Sequence, residues 1–170
     1  DSGEYRLTAA VLCFPTRWHL LEKIGRPMSE IHDPIPGYRE QINAPVNLFF
    51  SRLKVGQPIW RLNWGLNDDA NLFQPNGFPG EGLNPRLTED NTADEVYLRV
   101  ERQTLSKLPQ SGAILFTIRI HQQPLRTLED RPELAARLAQ TLRYWPESVA
   151  GYKGLSSHGA LTLKYLDQIS

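Results

Sequence analysis

The chain has 170 residues, 40% of them hydrophobic, and its 19 basic and 19 acidic residues balance to a formal net charge of +0. These values predict one globular domain spanning residues 1–170. They argue against a nucleic-acid partner, because phosphate binding calls for a basic stripe and the sequence has none. No apolar run approaches the roughly 20 residues that a membrane-spanning helix needs, so we expect no membrane partner.

The single cysteine, Cys13, lies in the apolar run AAVLCF. One thiol excludes a disulfide framework, a Cys-rich zinc site and an iron–sulfur cluster within the chain. We expect Cys13 to be a small buried hydrophobe in a reducing, cytoplasmic protein. The opening DSGEYRLT has no initiator Met, basic n-region or apolar h-region. It predicts a chain that is truncated at its N-terminus and shows no signal peptide.

The first third of the chain predicts one strand and two helical segments. Residues 5–14 are rich in apolar and β-forming types and predict a largely buried strand. Thr16 is a candidate N-cap for a short helix over 16–24. After a proline-rich stretch, residues 38–53 resume a helical period, and we expect a break near Pro45.

The middle of the chain predicts three more strands, over 58–66, 95–108 and 112–122, of which the last two form a hairpin. Residues 67–95 carry seven acidic side chains and only Arg86 as a base. A segment of that length without periodicity is typical of a lid, an interaction loop or disorder. Its neighbouring carboxylates, Asp68 and Asp69, are expected to be solvated.

The last part of the chain predicts helices. Asp130 is a candidate cap, Pro132 suits a first turn, and an apolar stripe follows at Leu134, Leu138 and Leu142. A final helix is expected over 158–168. Strands that precede helices, with antiparallel neighbours, predict an α+β domain in which one sheet carries helices across a face.

The chain has four histidines: His19, His32, His121 and His158. None has a second histidine four residues away, so a helical zinc site has little support. A lone histidine suits haem iron, because the porphyrin already supplies four nitrogens. His32 is the strongest candidate, since one proline before it and two after it fix the local backbone.

Three of the predicted strands carry a row of polar side chains on one face, because successive strand residues point to opposite faces. The rows are Arg61 and Asn63, then Tyr97, Arg99, Glu101 and Gln103, then Thr117, Arg119 and His121. One interpretation is a solvated sheet face. The other is a pocket in which arginines hold carboxylates and a glutamate or aromatic ring receives a cation.

Several motifs together resemble a known family. LTAAVLCFPTRWHLLEKIGRPMSEIHDPIP, WRLNWGL, LRVERQTLSKLPQSGAILFTIRIHQQPL and YKGL are similar to segments of the haem-dependent oxidative N-demethylases, whose haem subunit has a PAS-like fold. The resemblance implies haem b as cofactor and molecular oxygen as co-substrate. It further implies that an N-methyl group of a small amine such as dimethylamine is oxidised, with release of formaldehyde.

The resemblance also implies roles for individual residues. His32 would be the proximal haem ligand, with His121 as second choice. The side chains expected at the haem propionates are Arg61, Arg99 and Arg119. Glu101 would receive a protonated amine; its structural alternative is a salt bridge to Arg99 or Arg119.

Electrons for an oxygenase reaction would come from a separate flavin or iron–sulfur reductase, because the chain shows neither a cysteine cluster nor a glycine-rich nucleotide loop. The acidic loop at 67–95 is one place where such a reductase could dock; a solvated loop is the other interpretation. A haem-based gas or redox sensor or carrier of PAS type is the alternative function, since fold does not fix function. A haem-free relative that binds another small ligand or a partner is a third.

Overall fold

The computed structural model describes residues 4–75 and 84–170 of the chain. Their strands form one antiparallel sheet in the order β1-β2-β3. The strands are β1 (Ile59–Asn67), β2 (Tyr97–Lys107) and β3 (Ile114–Pro124). The three predicted strands in the middle of the chain are therefore confirmed, each within a few residues of its expected bounds.

Helices precede and follow the sheet in sequence. The α-helices are α1 (Met28–Ile31), α2 (Asn43–Ser51), α3 (Thr92–Glu95), α4 (Pro132–Tyr144), α5 (Glu147–Tyr152) and α6 (Gly159–Gln168). A π-helix (Tyr38–Ile42) leads into α2, and 3-10 turns occupy Leu20–Glu22 and Leu125–Leu128. The α+β class is confirmed, and a PAS-like arrangement stays a prediction. No helix within the two described ranges has the length and apolar character needed to cross a membrane.

The hairpin of β2 and β3 keeps one register from end to end. Near the turn, Leu108 N donates to Ala113 O at 2.8 Å, and at the other end Leu125 N donates to Val96 O at 2.9 Å. Directly opposite residues on antiparallel strands share a face of the sheet. This register decides which of the predicted polar rows lie side by side.

Contacts within the chain divide it into two compact units, described separately below. Unit 1 comprises the described residues of Asp1–Asn63, Leu72–Gly77 and Glu101–Arg119. Unit 2 comprises those of Trp64–Asn71, Phe78–Val100 and Ile120–Ser170. The expectation of a single domain stays a prediction.

Unit 2 has a helix-on-sheet core. Its fully or nearly buried members are Leu66, Leu87, Val96, Leu125, Leu128, Ala135, Ala139, Leu142 and Leu166. Helix α4 contacts α6, and Trp64 of β1 packs on Trp145 with ring centroids 5.2 Å apart. Pro132 opens α4 as expected, but its N-cap is Arg131 and not Asp130. The predicted stripe is wrong at Leu134, which is 39% exposed, because the small side chains of Ala135 and Ala139 face the core instead.

The N-terminal predictions for unit 1 were partly wrong. Residues 5–14 form no strand; one isolated bridge joins Arg6 to Pro27, and Cys13 is exposed. Apolar residues at these positions lack a neighbouring strand of the sheet to pair with. The expected helix over 16–24 is reduced to one 3-10 turn. The helix does not break at Pro45, which is the third residue of α2 and follows the π-helix without interruption.

The acidic loop is partly ordered. Asp68 is 5% exposed and accepts a hydrogen bond from Asn84 Nδ2 at 2.9 Å, so its predicted solvation is wrong. Asp69 is half-buried and accepts from the backbone and side chain of Asn71. Residues 84–95 form turns and α3, so disorder is wrong for them. The part of the loop at 76–83 lies outside the described residues.

Candidate functional site

His32 lies just after α1, and its ring has a fixed direction. Its Nδ1 is 3.0 Å from the carbonyl oxygen of Met28, which also accepts the backbone N–H of His32 at 3.1 Å. A carbonyl oxygen can only accept, so Nδ1 carries the proton and Nε2 of the neutral ring keeps its lone pair. This is the tautomer in which a histidine binds a metal through Nε2 while a backbone carbonyl orients it.

Tyr38 covers one face of the His32 imidazole. The two ring centroids are 4.5 Å apart and the planes differ by 18°. Tyr38 is 5% exposed, and its hydroxyl has no hydrogen-bond partner among the residues that the structure describes. Gly37, at φ 70°, makes the turn between the prolines and the π-helix that begins at Tyr38. Glycine adopts this left-handed conformation without strain, so the turn sets the stacked pair.

The charge of Arg61 acts on both rings. Burial lowers the pKa of His32, and the charges of Lys23 and Arg61 act in the same direction. Burial raises the pKa of Tyr38, and the Arg61 charge opposes that rise. The lowered pKa favours the neutral imidazole of His32 at pH 7.

A polar network links β1 and β2 on the face that carries Arg61. Arg61 Nε donates to Gln103 Oε1 at 2.8 Å, and Gln103 Nε2 donates to Glu101 Oε2 at 2.9 Å. Asn63 Nδ2 donates to the same Glu101 oxygen at 3.2 Å. Glu101 forms no salt bridge within the described chain, so its second oxygen, Oε1, can accept a further donor. The network fixes the position of the Glu101 carboxylate and brings no cationic group into contact with it.

Two of the four side chains in the polar row of β2 are buried and the other two, Tyr97 and Glu101, are half-buried, contrary to the solvated interpretation. Arg99 is 4% exposed and Gln103 is 7% exposed. β2 is the central strand of the sheet, so its side chains are flanked on both sides. The polar row of β3 is exposed at Thr117, Arg119 and His121, as a solvated face predicts.

Apolar side chains of β3 stand beside the polar network of unit 1. By the hairpin register Ile118 faces Gln103, and Phe116 lies two residues further along the same face. Ile118 is 42% exposed and Phe116 is 48% exposed. An uncovered apolar row next to a few fixed polar groups is the usual lining of a small-molecule site.

The predicted site residues fall into three places. His32, Arg61 and Glu101 belong to unit 1; hydrogen bonds join Arg61 to Glu101 through Gln103, and the Arg61 charge acts on His32. Arg119 also belongs to unit 1, but it faces Arg102 and so lies on the opposite side of the sheet from Gln103. Arg99 and His121 belong to unit 2. In that unit, Arg99 Nη1 donates to Gln122 Oε1 at 3.2 Å, and His121 is exposed.

Two residues of the site were missed from the sequence. Tyr38 was assigned only to a helical period, although the glycine directly before it signals a special turn. Gln103 was noted in a polar row, and nothing local showed that it would join Arg61 to Glu101, because that link depends on the register of two strands 38 to 42 residues apart in the chain.

A comparison with protein families places the chain. The family model for the haem-dependent oxidative N-demethylase, alpha subunit-like, matches residues 1–163. The chain belongs to this family. At the family level it is therefore an oxidoreductase subunit that depends on haem, and the designation alpha subunit implies a partner subunit.

The residues of unit 1 fit a haem. His32 offers one neutral imidazole with Nδ1–H bonded to a carbonyl, Arg61 offers a guanidinium for a carboxylate, and an apolar row lies beside the network. Within the described ranges, no group of three or more His, Cys, Asp or Glu side chains could hold a metal ion. The described residues therefore offer one histidine as an axial ligand of haem iron, and not a cluster of side chains that could hold a metal ion without a porphyrin.

Proposed function

We propose that this chain binds haem b through His32 Nε2 and, supplied with electrons and molecular oxygen, oxidatively demethylates a small N-methylated amine. One observation supports the proposal most directly: His32 is held as the Nδ1–H tautomer by Met28 O. Family membership gives the reaction class, and the contacts of unit 1 suggest which residues serve it. The PAS-like fold belongs to the same proposal.

Haem would supply the activation of oxygen, and the chain would supply orientation and charge. Tyr38 would keep the His32 ring from rotating by stacking on it. Arg61 would bind a haem propionate, because its Nε is committed to Gln103 and its outer nitrogens extend beyond that bond. Ile118 and Phe116 would contact the apolar part of the porphyrin. We do not extend this role to Arg99, which belongs to unit 2, or to Arg119, which lies on the opposite face of the sheet.

Glu101 would bind the protonated amine. Its Oε2 is occupied by two amide donors, and its Oε1 would accept an N–H of the ammonium. A charge-assisted hydrogen bond of this kind contributes about 1.5–3 kcal/mol. An amine such as dimethylamine has one or two such donors and little else to recognise, so this bond would set the position of its methyl group.

The proposed reaction balances with an external reductant. One tertiary or secondary N-methylamine, O2, two electrons and two protons give the demethylated amine, formaldehyde and water. One C–N bond breaks and the methyl carbon is oxidised. The electrons would come from a separate flavin or iron–sulfur reductase.

Formaldehyde release tests this function. The chain is loaded with haem, supplied with a chemical reductant and oxygen, and given a panel of N-methylamines that includes dimethylamine. We expect formaldehyde in proportion to amine consumed. Glu101→Gln keeps the hydrogen-bond shape but removes the charge, so the KM for amine should rise about tenfold or more.

Glu133→Gln is the matched control, because Glu133 is an exposed glutamate at the start of α4 in unit 2. Its KM should equal that of the unchanged chain. Haem that binds without formaldehyde from any amine in the panel would contradict the enzyme and favour the sensor or carrier. Equal KM values for both variants would remove Glu101 from the amine site.

A further inference from the structure

We propose that one face of the sheet in unit 1 is the docking surface for the partner subunit. It is the face opposite the polar network of Arg61, Gln103 and Glu101. The partner would present acidic side chains around an apolar contact. We call this surface the basic face. Its members are Trp60, Leu62, Arg102, Leu115, Thr117 and Arg119. The inference rests on family membership as an alpha subunit and not on haem binding, so the two can fail separately.

Strand register places these residues side by side. Gln103 contacts Arg61 and Glu101 contacts Asn63 on one face, so Leu62 and Arg102 are neighbours on the other. Arg102 in turn faces Arg119 across the hairpin. The basic face is therefore one continuous patch over three strands, all of it within unit 1.

The apolar members of the basic face are unusually open. Trp60 is 58% exposed, Leu62 is 57% exposed and Leu115 is 47% exposed. Single exposed apolar residues are ordinary, but several on one rigid sheet face indicate an interaction site. Trp and Arg are the residue types most enriched at the centres of protein interfaces.

The charge of the basic face predicts the chemistry of the partner. Arg102 and Arg119 are directly opposite each other, and like charges at such positions destabilise a sheet. The described strand residues that point to this face include no carboxylate, and the ion pairs of the described chain do not involve either arginine. Arg102 lies 5.3 Å from the centroid of the Trp60 ring. A carboxylate from a partner between the two guanidiniums would relieve their repulsion.

Haem binding and partner binding would use opposite faces of the same strand segments. The polar network lies on the face to which Gln103 points, and the adjacent residue, Arg102, points to the basic face. A partner could bind without covering the first face, because successive strand residues point to opposite sides. A membrane or nucleic acid fits less well, since only two cations stand among large apolar side chains.

Photo-crosslinking in the intact complex tests the occupant of this surface. The full-length chain, tagged and produced in its native host, carries p-benzoylphenylalanine in place of Leu62, and the complex is irradiated before purification. We expect crosslinks to a peptide of the partner subunit that contains Asp or Glu. The matched control places the same crosslinker at Leu48, which is 52% exposed on α2 in unit 1; it should give no such peptide.

A charge reversal provides a second measurement that does not depend on the crosslinker. Arg102→Glu with Arg119→Glu should raise the dissociation constant of the complex about tenfold or more. The control with the same charge change is Arg131→Glu with Arg137→Glu, at two exposed positions of unit 2, and it should leave the complex intact. Crosslinks to this chain, to a second copy or to lipid, or equal dissociation constants for the two variants, would overturn the proposal.

Discussion

The apolar side chains of the unit 2 core are buried, whereas several apolar strand residues of unit 1 are exposed. In unit 2, the described residues of the core form one cluster around Leu125 and Leu166, both of which are 0% exposed. In unit 1, Trp60, Leu62 and Phe116 of the strands are each about half exposed or more. Both units also bury polar side chains, such as Gln103 of unit 1 at 7% and His158 of unit 2 at 1% exposed.

This difference predicts that unit 2 contributes mainly to stability and that unit 1 contributes mainly to binding. Burial of apolar area stabilises a fold in proportion to the area removed from water, so unit 2 should contribute most of the hydrophobic stabilisation. Open apolar rows with fixed polar groups cost stability and are kept where a ligand or partner covers them. The difference predicts that mutations of equal size will have unequal effects in the two units.

Truncation of a large side chain in each unit should give the largest contrast. Leu125→Ala should reduce the free energy of unfolding by about 2–5 kcal/mol, because a buried leucine leaves a cavity. Phe116→Ala removes more atoms but should cost about 1 kcal/mol or less, since that side chain is 48% exposed. Urea unfolding of the haem-free chain measures both. Equal losses of unfolding free energy in the two variants would contradict the difference between the two units.

Removal of the buried amide in unit 1 should have a smaller effect. Gln103→Ala breaks the bond from Arg61 and the bond to Glu101, and should reduce the free energy of unfolding by about 1–3 kcal/mol. Gln123→Ala is the control, because Gln123 is exposed on β3 and should change stability by about 0.5 kcal/mol or less. If the two variants unfold alike in urea, the network does not stabilise unit 1.

The smallest expected effect is a pH dependence from His32. The unfolded histidine has a pKa of about 6.5, and burial lowers the folded pKa. Between the two values the unfolded state binds more protons, so stability falls as pH falls and levels off below the folded pKa. His32→Gln should lack this loss. Unfolding free energies of both proteins from pH 8 to pH 5 should converge toward the acid side; parallel curves would contradict the assignment.

The sequence predicted the hairpin well because its signals are local. Residues 95–108 and 112–122 alternate, and a short polar turn joins them, so neither strand depends on distant contacts for its definition. The C-terminal helix at 158–168 was likewise found within a residue of α6. Residues 5–14 have the same composition as a strand but no neighbour to pair with, and composition alone could not show that.

The site was predicted only in part, because it depends on register. The sequence singled out His32, Arg61 and Glu101, yet it placed Arg119 with them. A shift of one position between strands moves a side chain to the other face, and the register of the hairpin puts Arg119 opposite Arg102. The burial of Arg99 and Gln103 was also not predicted; it depends on the face of β2 that they occupy, since Arg102 on the other face of the same strand is exposed.

Haem titration of three proteins tests the central claim most directly. Haemin is added to the purified chain, to His32→Ala and to His121→Ala, with far-UV circular dichroism to show that each is folded. We predict a Soret band for the unchanged chain and for His121→Ala. His32→Ala should lose affinity by about 100-fold or more, since loss of an axial ligand exceeds the 10–100-fold typical of an outer-shell change. Added imidazole should restore its band. An unchanged Soret band in folded His32→Ala, or its loss in His121→Ala alone, would contradict the account.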